Sequence, residues 1–124
     1  MNTMEALLRD LEKRITKIHS TGMPNTMTRQ GQASYSVKYV FGENDNAGTL
    51  FLMATDQNML CISALHGSDF INSKEIYSTP YISNIKKATQ MLEKIEAIIE
   101  DSVYEAYLTD IKLIAQVIKD TYEQ

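Results

Sequence analysis

The sequence feature that most constrains the fold is the C-terminal third of the chain, from Thr79 to Gln124. After Pro80 it contains neither glycine nor proline, the residues that most often interrupt a helix. Apolar side chains recur there at steps of three and four, which is the spacing of one face of an α-helix. They are Ile85, Ala88, Leu92, Ile95 and Ile99, followed by Tyr104, Leu108, Ile111, Ala115, Ile118 and Tyr122. Thr79 and Pro80 provide a cap and a first-turn proline, so we predict that helix begins here.

The apolar stripe changes phase in the middle of this stretch. The step from Ile99 to Tyr104 is five residues, which turns about 140° around a helix. Ser102 and Glu105 form a capping-box pattern at the same place. We therefore predict two helices, at about 80–99 and 103–122. One long kinked helix is the alternative, because the junction lacks the glycine that short helix–helix turns often contain.

Between residues 33 and 66 the pattern changes to alternation, which is typical of β-strands. Clusters of Asn, Asp and Gly separate three such runs, and these residues favour tight turns. The middle run is apolar on both faces, as expected for a central strand. We predict a three-stranded antiparallel meander at about 33–41, 48–55 and 59–66, covered by helices on one face. The 33–41 strand is a free edge, from which the sheet could continue across a homodimer.

The N-terminal residues 2–19 predict an amphipathic helix. Apolar side chains follow helical spacing there, and charged residues occupy the other face. The apolar positions are Met4, Leu8, Leu11, Ile15 and Ile18. The predicted fold class is therefore α+β, with an N-terminal helix, a meander and C-terminal helices in a single domain of residues 1–124.

Composition excludes several function classes. The net charge of −4 argues against nucleic acid as a partner, because such partners require clustered positive charge. No apolar run is long enough to span a bilayer, so we predict no membrane partner. Cys61 is the only cysteine, which excludes an intrachain disulfide and a cysteine-based zinc site. A reducing, cytoplasmic location follows as an expectation.

No catalytic constellation is recognisable. The five glycines are scattered, and none forms a phosphate-binding loop before a helix. Two histidines, His19 and His66, do not make a metal site with the single cysteine. We therefore predict no enzyme activity, no cofactor and no metal.

The helical stripes and free strand edge favour a protein-interaction module of the inhibitor, chaperone or adaptor type. We predict that it acts by binding an unidentified protein partner, as a homodimer. The residues predicted at the interface are Leu8, Leu11, Ile15, Tyr104, Tyr107, Ile111 and Ile118.

A small-ligand or nucleotide-binding protein is the alternative function. Its pocket would lie between the loop at 20–32, the sheet end and the helices. Ligand pockets need a few convergent polar groups on an apolar lining. The candidates for those groups are Arg29, Tyr35, Tyr39 and His66.

Overall fold

The structure is a computed structural model that describes residues 2–20, 27–28, 31–67 and 73–124. Three α-helices lie at Thr3–Arg14 (α1), Ile85–Glu100 (α2) and Ile111–Glu123 (α3). Five strands lie at Met27–Thr28 (β1), Gly31–Phe41 (β2), Gly48–Thr55 (β3), Leu60–His66 (β4) and Lys74–Ser78 (β5). Two 3₁₀ segments lie at Asn44–Asn46 and Ser102–Thr109. The predicted α+β class is confirmed.

The strands form one antiparallel sheet in chain order, with β3 at its centre. The three predicted strands are confirmed, but the sheet is larger than predicted. Strand β5 pairs with β4, and the two-residue β1 pairs with the start of β2. Most side chains of β5 are exposed. Its sequence therefore lacks the alternation of apolar and polar residues by which a strand is predicted.

Strand β3 is buried on both faces over all eight of its residues. On one face Leu50, Leu52 and Ala54 belong to the main core, which the three helices share. On the other face Phe51 and Met53 form a smaller apolar cluster with three further residues. These are Ala33, Cys61 and Tyr81. Because both faces of β3 are covered, the strand carries apolar side chains on both of them.

Helix α1 is capped by Asn2, whose side chain accepts a hydrogen bond of 2.8 Å from the Glu5 amide. The helix ends at Arg14, five residues before the predicted end. Beyond it the chain turns, and the amides of Thr16 and Lys17 both donate to the Glu100 carboxylate. In a longer helix these two amides would donate to backbone carbonyls, and here the Glu100 carboxylate accepts their hydrogen bonds instead.

Two C-terminal helices are present, as predicted, but both begin later than predicted. Helix α2 is capped by Asn84, whose side chain accepts from the Lys87 amide at 2.9 Å. Thr79 does not cap the helix. It follows β5 and is bound to β4, where its hydroxyl accepts a hydrogen bond of 3.1 Å from the Ile62 amide. At this same end of α2, Lys87 donates to the carbonyl of Thr121 near the end of α3 at 3.5 Å, so α2 and α3 run antiparallel.

Helix α3 begins at Ile111 rather than at 103, because residues 102–109 form 3₁₀ turns. Asp110 caps α3 by accepting from the Lys112 amide at 2.9 Å. Four apolar side chains of α3 then face the core, and their exposure is at most 2%. They are Ile111, Ile114, Ala115 and Ile118.

The Tyr39 hydroxyl is an unpaired polar group in the core. Tyr39 is 1% exposed, and its hydroxyl has no hydrogen-bond partner among the described residues. Burial raises the pKa of Tyr39.

We expect Tyr39→Phe to increase the free energy of unfolding by about 1 kcal/mol, because it removes a desolvated, unpaired hydroxyl. Tyr35→Phe is the control. Its hydroxyl donates to Glu12, so denaturant unfolding of this variant should show a loss of about 1 kcal/mol. A destabilised Tyr39→Phe would contradict the prediction.

The Glu100 carboxylate predicts a pH dependence of stability. Hydrogen bonds from the backbone of Thr16, and then of Lys17, hold its pKa below the usual range. A carboxyl whose pKa is lower in the folded state stabilises the fold above its unfolded pKa and loses this effect on acidification. Glu100→Gln should therefore lower the melting temperature at neutral pH and flatten its fall between about pH 5 and pH 3. Identical melting curves of wild type and variant across that range would refute this.

Candidate functional site

A concave surface lies between the turn that joins β2 to β3 and the 3₁₀ segment Ser102–Thr109. We call this segment the connector, because it joins α2 to α3. The concavity has a volume of about 550 Å³. Its lining residues are Gly42, Glu43, Asn44, Asn46, Leu108 and Thr109.

The turn and the connector are in close backbone contact. Gly42 adopts a positive φ of 71°, which glycine tolerates better than other residues. A Cβ atom at this position would lie 2.5 Å from the Asn46 carbonyl oxygen and 2.9 Å from that of Thr109. Glycine therefore allows the turn to lie directly against the end of the connector, and both segments line the concavity.

His66 supports the turn from the end of β4. Its Nε2 atom hydrogen-bonds to the Asp45 carbonyl oxygen, and the next residue, Gly67, donates its amide to Ala47 at 2.8 Å. His66 is therefore engaged in holding the turn. It is not among the residues that line the concavity.

The connector is a surface structure with local hydrogen bonds. The Asp101 side chain accepts from the Val103 amide at 3.0 Å, and the Thr109 hydroxyl donates to the Ala106 carbonyl at 2.7 Å. None of its residues is buried, and Val103 is 77% exposed. A valine this exposed packs little against the described residues.

Two tyrosines of the connector form an ordered aromatic pair. The rings of Tyr104 and Tyr107 meet edge to face, with centroids 5.3 Å apart and an interplanar angle of 84°. Lys94 of α2 donates to the Tyr104 hydroxyl at 2.7 Å, and its Nζ lies 5.1 Å from the ring centroid. Nearby in sequence, Leu113 of α3 is 44% exposed. The connector thus presents aromatic and aliphatic groups in fixed positions.

The predicted ligand-binding residues do not converge. Tyr35 pairs with Ala54 of β3, whereas His66 pairs with Gly48. These positions are six residues apart on β3, or about 20 Å, so Tyr35 and His66 lie at opposite ends of the sheet. Tyr39 lies in the core. Arg29 and most of the 20–32 loop are outside the described residues.

Tyr35 belongs to a polar cluster that sequence reasoning missed. The Arg9 guanidinium lies 3.9 Å from the Tyr35 ring centroid and pairs with Glu5 at 2.9 Å. The Tyr35 hydroxyl donates to Glu12, and burial together with this bond raises its pKa to about 12. The Arg9–Glu5 pair lies within α1. The Tyr35 ring and hydroxyl come from β2, and the local spacing of residues in α1 does not indicate this partner.

The predicted interface residues divide into two groups. Five lie in the chain's own core, with exposures of 0% except for 7% at Ile15. These are Leu8, Leu11, Ile15, Ile111 and Ile118. Their side chains contact the sheet and the other helices, so they have no surface to offer a partner. Only Tyr104 and Tyr107 of the predicted set are partly exposed.

Two further kinds of site are absent from the part of the chain that the structure describes. No group of three or more His, Cys, Asp and Glu side chains is placed to hold a metal ion. No described helix combines the length and the apolar composition that crossing a membrane requires.

Comparison with known proteins found no match to the chain among family models, curated proteins or solved structures. The function has to be inferred from the surfaces described above. The connector with its adjoining concavity is the candidate site, because it combines exposed apolar groups, ordered aromatic rings and a recess.

Proposed function

We propose that this chain is a protein-interaction module of the inhibitor, chaperone or adaptor type, acting by binding and as a homodimer. The observation that carries the proposal is the exposed connector, with Val103 77% exposed beside the ordered pair of Tyr104 and Tyr107. Tyrosine is enriched in the residues that dominate binding energy at protein interfaces.

The fixed geometry of the connector favours binding. Lys94 holds the Tyr104 ring through a hydrogen bond of 2.7 Å to its hydroxyl. Ordering a side chain before association reduces the entropy lost on binding. Leu108 and Thr109 belong to both the connector and the concavity. A partner that contacts Val103 can therefore place a side chain in the recess.

The lining of the concavity favours a protein partner over a small molecule. Its volume of about 550 Å³ lies within the usual range of ligand pockets. However, such pockets are lined mainly by apolar and aromatic side chains. Here Leu108 is the one apolar side chain among six lining residues. A small ligand is therefore the less favoured alternative.

A cytoplasmic location is part of the proposal. Cys61 is a free thiol, and burial raises its pKa. A buried thiol with a raised pKa is a poor nucleophile. This supports a packing role for Cys61 in a reducing compartment, where unpaired cysteines are common.

The test compares capture of protein partners from the native host by tagged variants of the full chain. Val103→Glu places a charge at the centre of the proposed contact, and Gln90→Glu places one on the exposed face of α2 as a control. We expect wild type and Gln90→Glu to retain a stoichiometric protein partner. Val103→Glu should reduce its capture at least about tenfold, as for loss of an interface anchor.

Circular dichroism of both variants checks that the fold is kept, since Val103 and Gln90 are both exposed. Capture that is equal for all three proteins would show that the connector is not the binding surface. If no protein is retained by wild type, protein binding is contradicted.

A further inference from the structure

The connector and the β2–β3 turn carry acidic residues and no basic ones. The sequence contains no lysine or arginine between Lys38 and Lys74 or between Lys94 and Lys112, and the two segments lie within these intervals. Because the turn lies directly against the end of the connector, their carboxylates belong to one negatively charged surface. These carboxylates, with those of the residues that flank the connector, are Glu43, Asp45, Asp101, Glu105 and Asp110.

The lysines on either side of the connector do not neutralise this surface. Lys94 donates to the Tyr104 hydroxyl at 2.7 Å, and Lys112 lines a separate groove beside Tyr77 of β5. No ion pair among the described residues includes a carboxylate of this surface. The described part of the chain therefore leaves its negative charge uncompensated.

Glu43 is the carboxylate that lines the concavity. It is exposed and precedes the 3₁₀ turn Asn44–Asn46, but its side chain makes no capping hydrogen bond. Among the described residues no cation pairs with it. This carboxylate is thus available to a group that enters the concavity.

The other lining groups suit a long cationic side chain. Asn44 and Asn46 offer side-chain carbonyl oxygens, and the Thr109 hydroxyl already donates to Ala106, which leaves it as an acceptor. Leu108 supplies one apolar surface. Lysine and arginine combine an apolar stem with a head group that only donates hydrogen bonds. Leu108 can contact such a stem while the carboxylate and the oxygens bind the head group.

We propose that the protein partner of the connector presents a basic segment, with a lysine or arginine side chain in the concavity and an aliphatic side chain against Val103. This inference rests on partner binding in the proposed function, and it adds the chemistry of the partner. Complementary charge across an interface speeds association and disfavours partners of the wrong sign. An acidic segment is therefore excluded from this surface.

The connector also sets the spacing within the basic segment. Val103 is five residues before Leu108, or about 10 Å along a 3₁₀ segment. An aliphatic and a cationic residue span this distance when they are about seven residues apart in a helix or about three apart in an extended chain.

Selection from a phage-displayed library of random peptides, with the full chain as bait, tests the chemistry of the partner. We expect the enriched peptides to carry a net positive charge and to contain an aliphatic residue as well as lysine or arginine. Enrichment of neutral or acidic peptides would overturn the inference, and so would a lack of enrichment over the matrix without protein.

Fluorescence anisotropy of an enriched peptide then locates its binding site. Glu43→Lys places a cation in the concavity, and we expect the dissociation constant to rise at least about tenfold at low salt, because attraction is replaced by repulsion. The loss should shrink at high salt. Val103→Ser leaves the charge unchanged and should weaken binding about fivefold, since it removes the apolar contact.

Asp56→Lys is the matched control, because it makes the same change of charge at another exposed turn residue. Asp56 lies in the turn after β3, and the eight residues of that strand separate it from the β2–β3 turn by about 24 Å. We expect this variant to bind the peptide within about twofold of wild type. Equal losses in Glu43→Lys and Asp56→Lys would reveal an effect of net charge alone and would overturn the inference.

These results separate the inference from the function on which it rests. If a host protein is captured through Val103 but the enriched peptides are not basic, the proposed chemistry is wrong and partner binding stands. If basic peptides bind through Glu43 but no host protein is retained, the preference of the concavity stands and the proposed function fails. Circular dichroism of each variant checks that the fold is kept.

Discussion

The close approach of Gly48 to Ile111 determines how the two layers of this fold meet. A Cβ atom at Gly48 would lie 2.4 Å from the Cβ of Ile111, so only glycine permits the contact. Ile111 is the first residue of α3 and is 0% exposed. Because the beginning of α3 is held against β3, residues 102–109 must connect it to the end of α2 along the surface. The position of the connector is thus a consequence of packing in the core.

The candidate site follows from this constraint. The apolar stripes of α1, α2 and α3 are used in covering one face of the sheet, so they leave little apolar surface for a partner. The connector lies at the margin of that core, so Tyr104, Tyr107 and Leu108 are only partly buried against it and Val103 stays 77% exposed. Gly42 brings the β2–β3 turn against Thr109, which creates the recess beside them. A rigid core therefore carries an ordered contact surface, as the proposed binding function requires.

The sequence predicts elements whose signal is local. The apolar character of β3 and the division of the C-terminal stretch both depend on neighbouring residues, and both are confirmed. The connector was missed because Tyr104 and Leu108 continue helical spacing, although they lie in 3₁₀ turns and are only partly buried against the core. Leu8 and Ile111 were predicted at an interface but lie in the core, because the same apolar spacing serves both. The Arg9–Tyr35 contact joins α1 to β2, and periodicity contains no information on such pairs.

Equilibrium unfolding of Gly48→Ala in denaturant tests the central constraint most directly. The added methyl group has no space against Ile111, and such overpacking costs about 1–3 kcal/mol. We predict a loss of this size in the free energy of unfolding, because β3 and the beginning of α3 must separate. A variant as stable as wild type would show that the layers do not depend on this contact, and the explanation for the exposed connector would then be wrong.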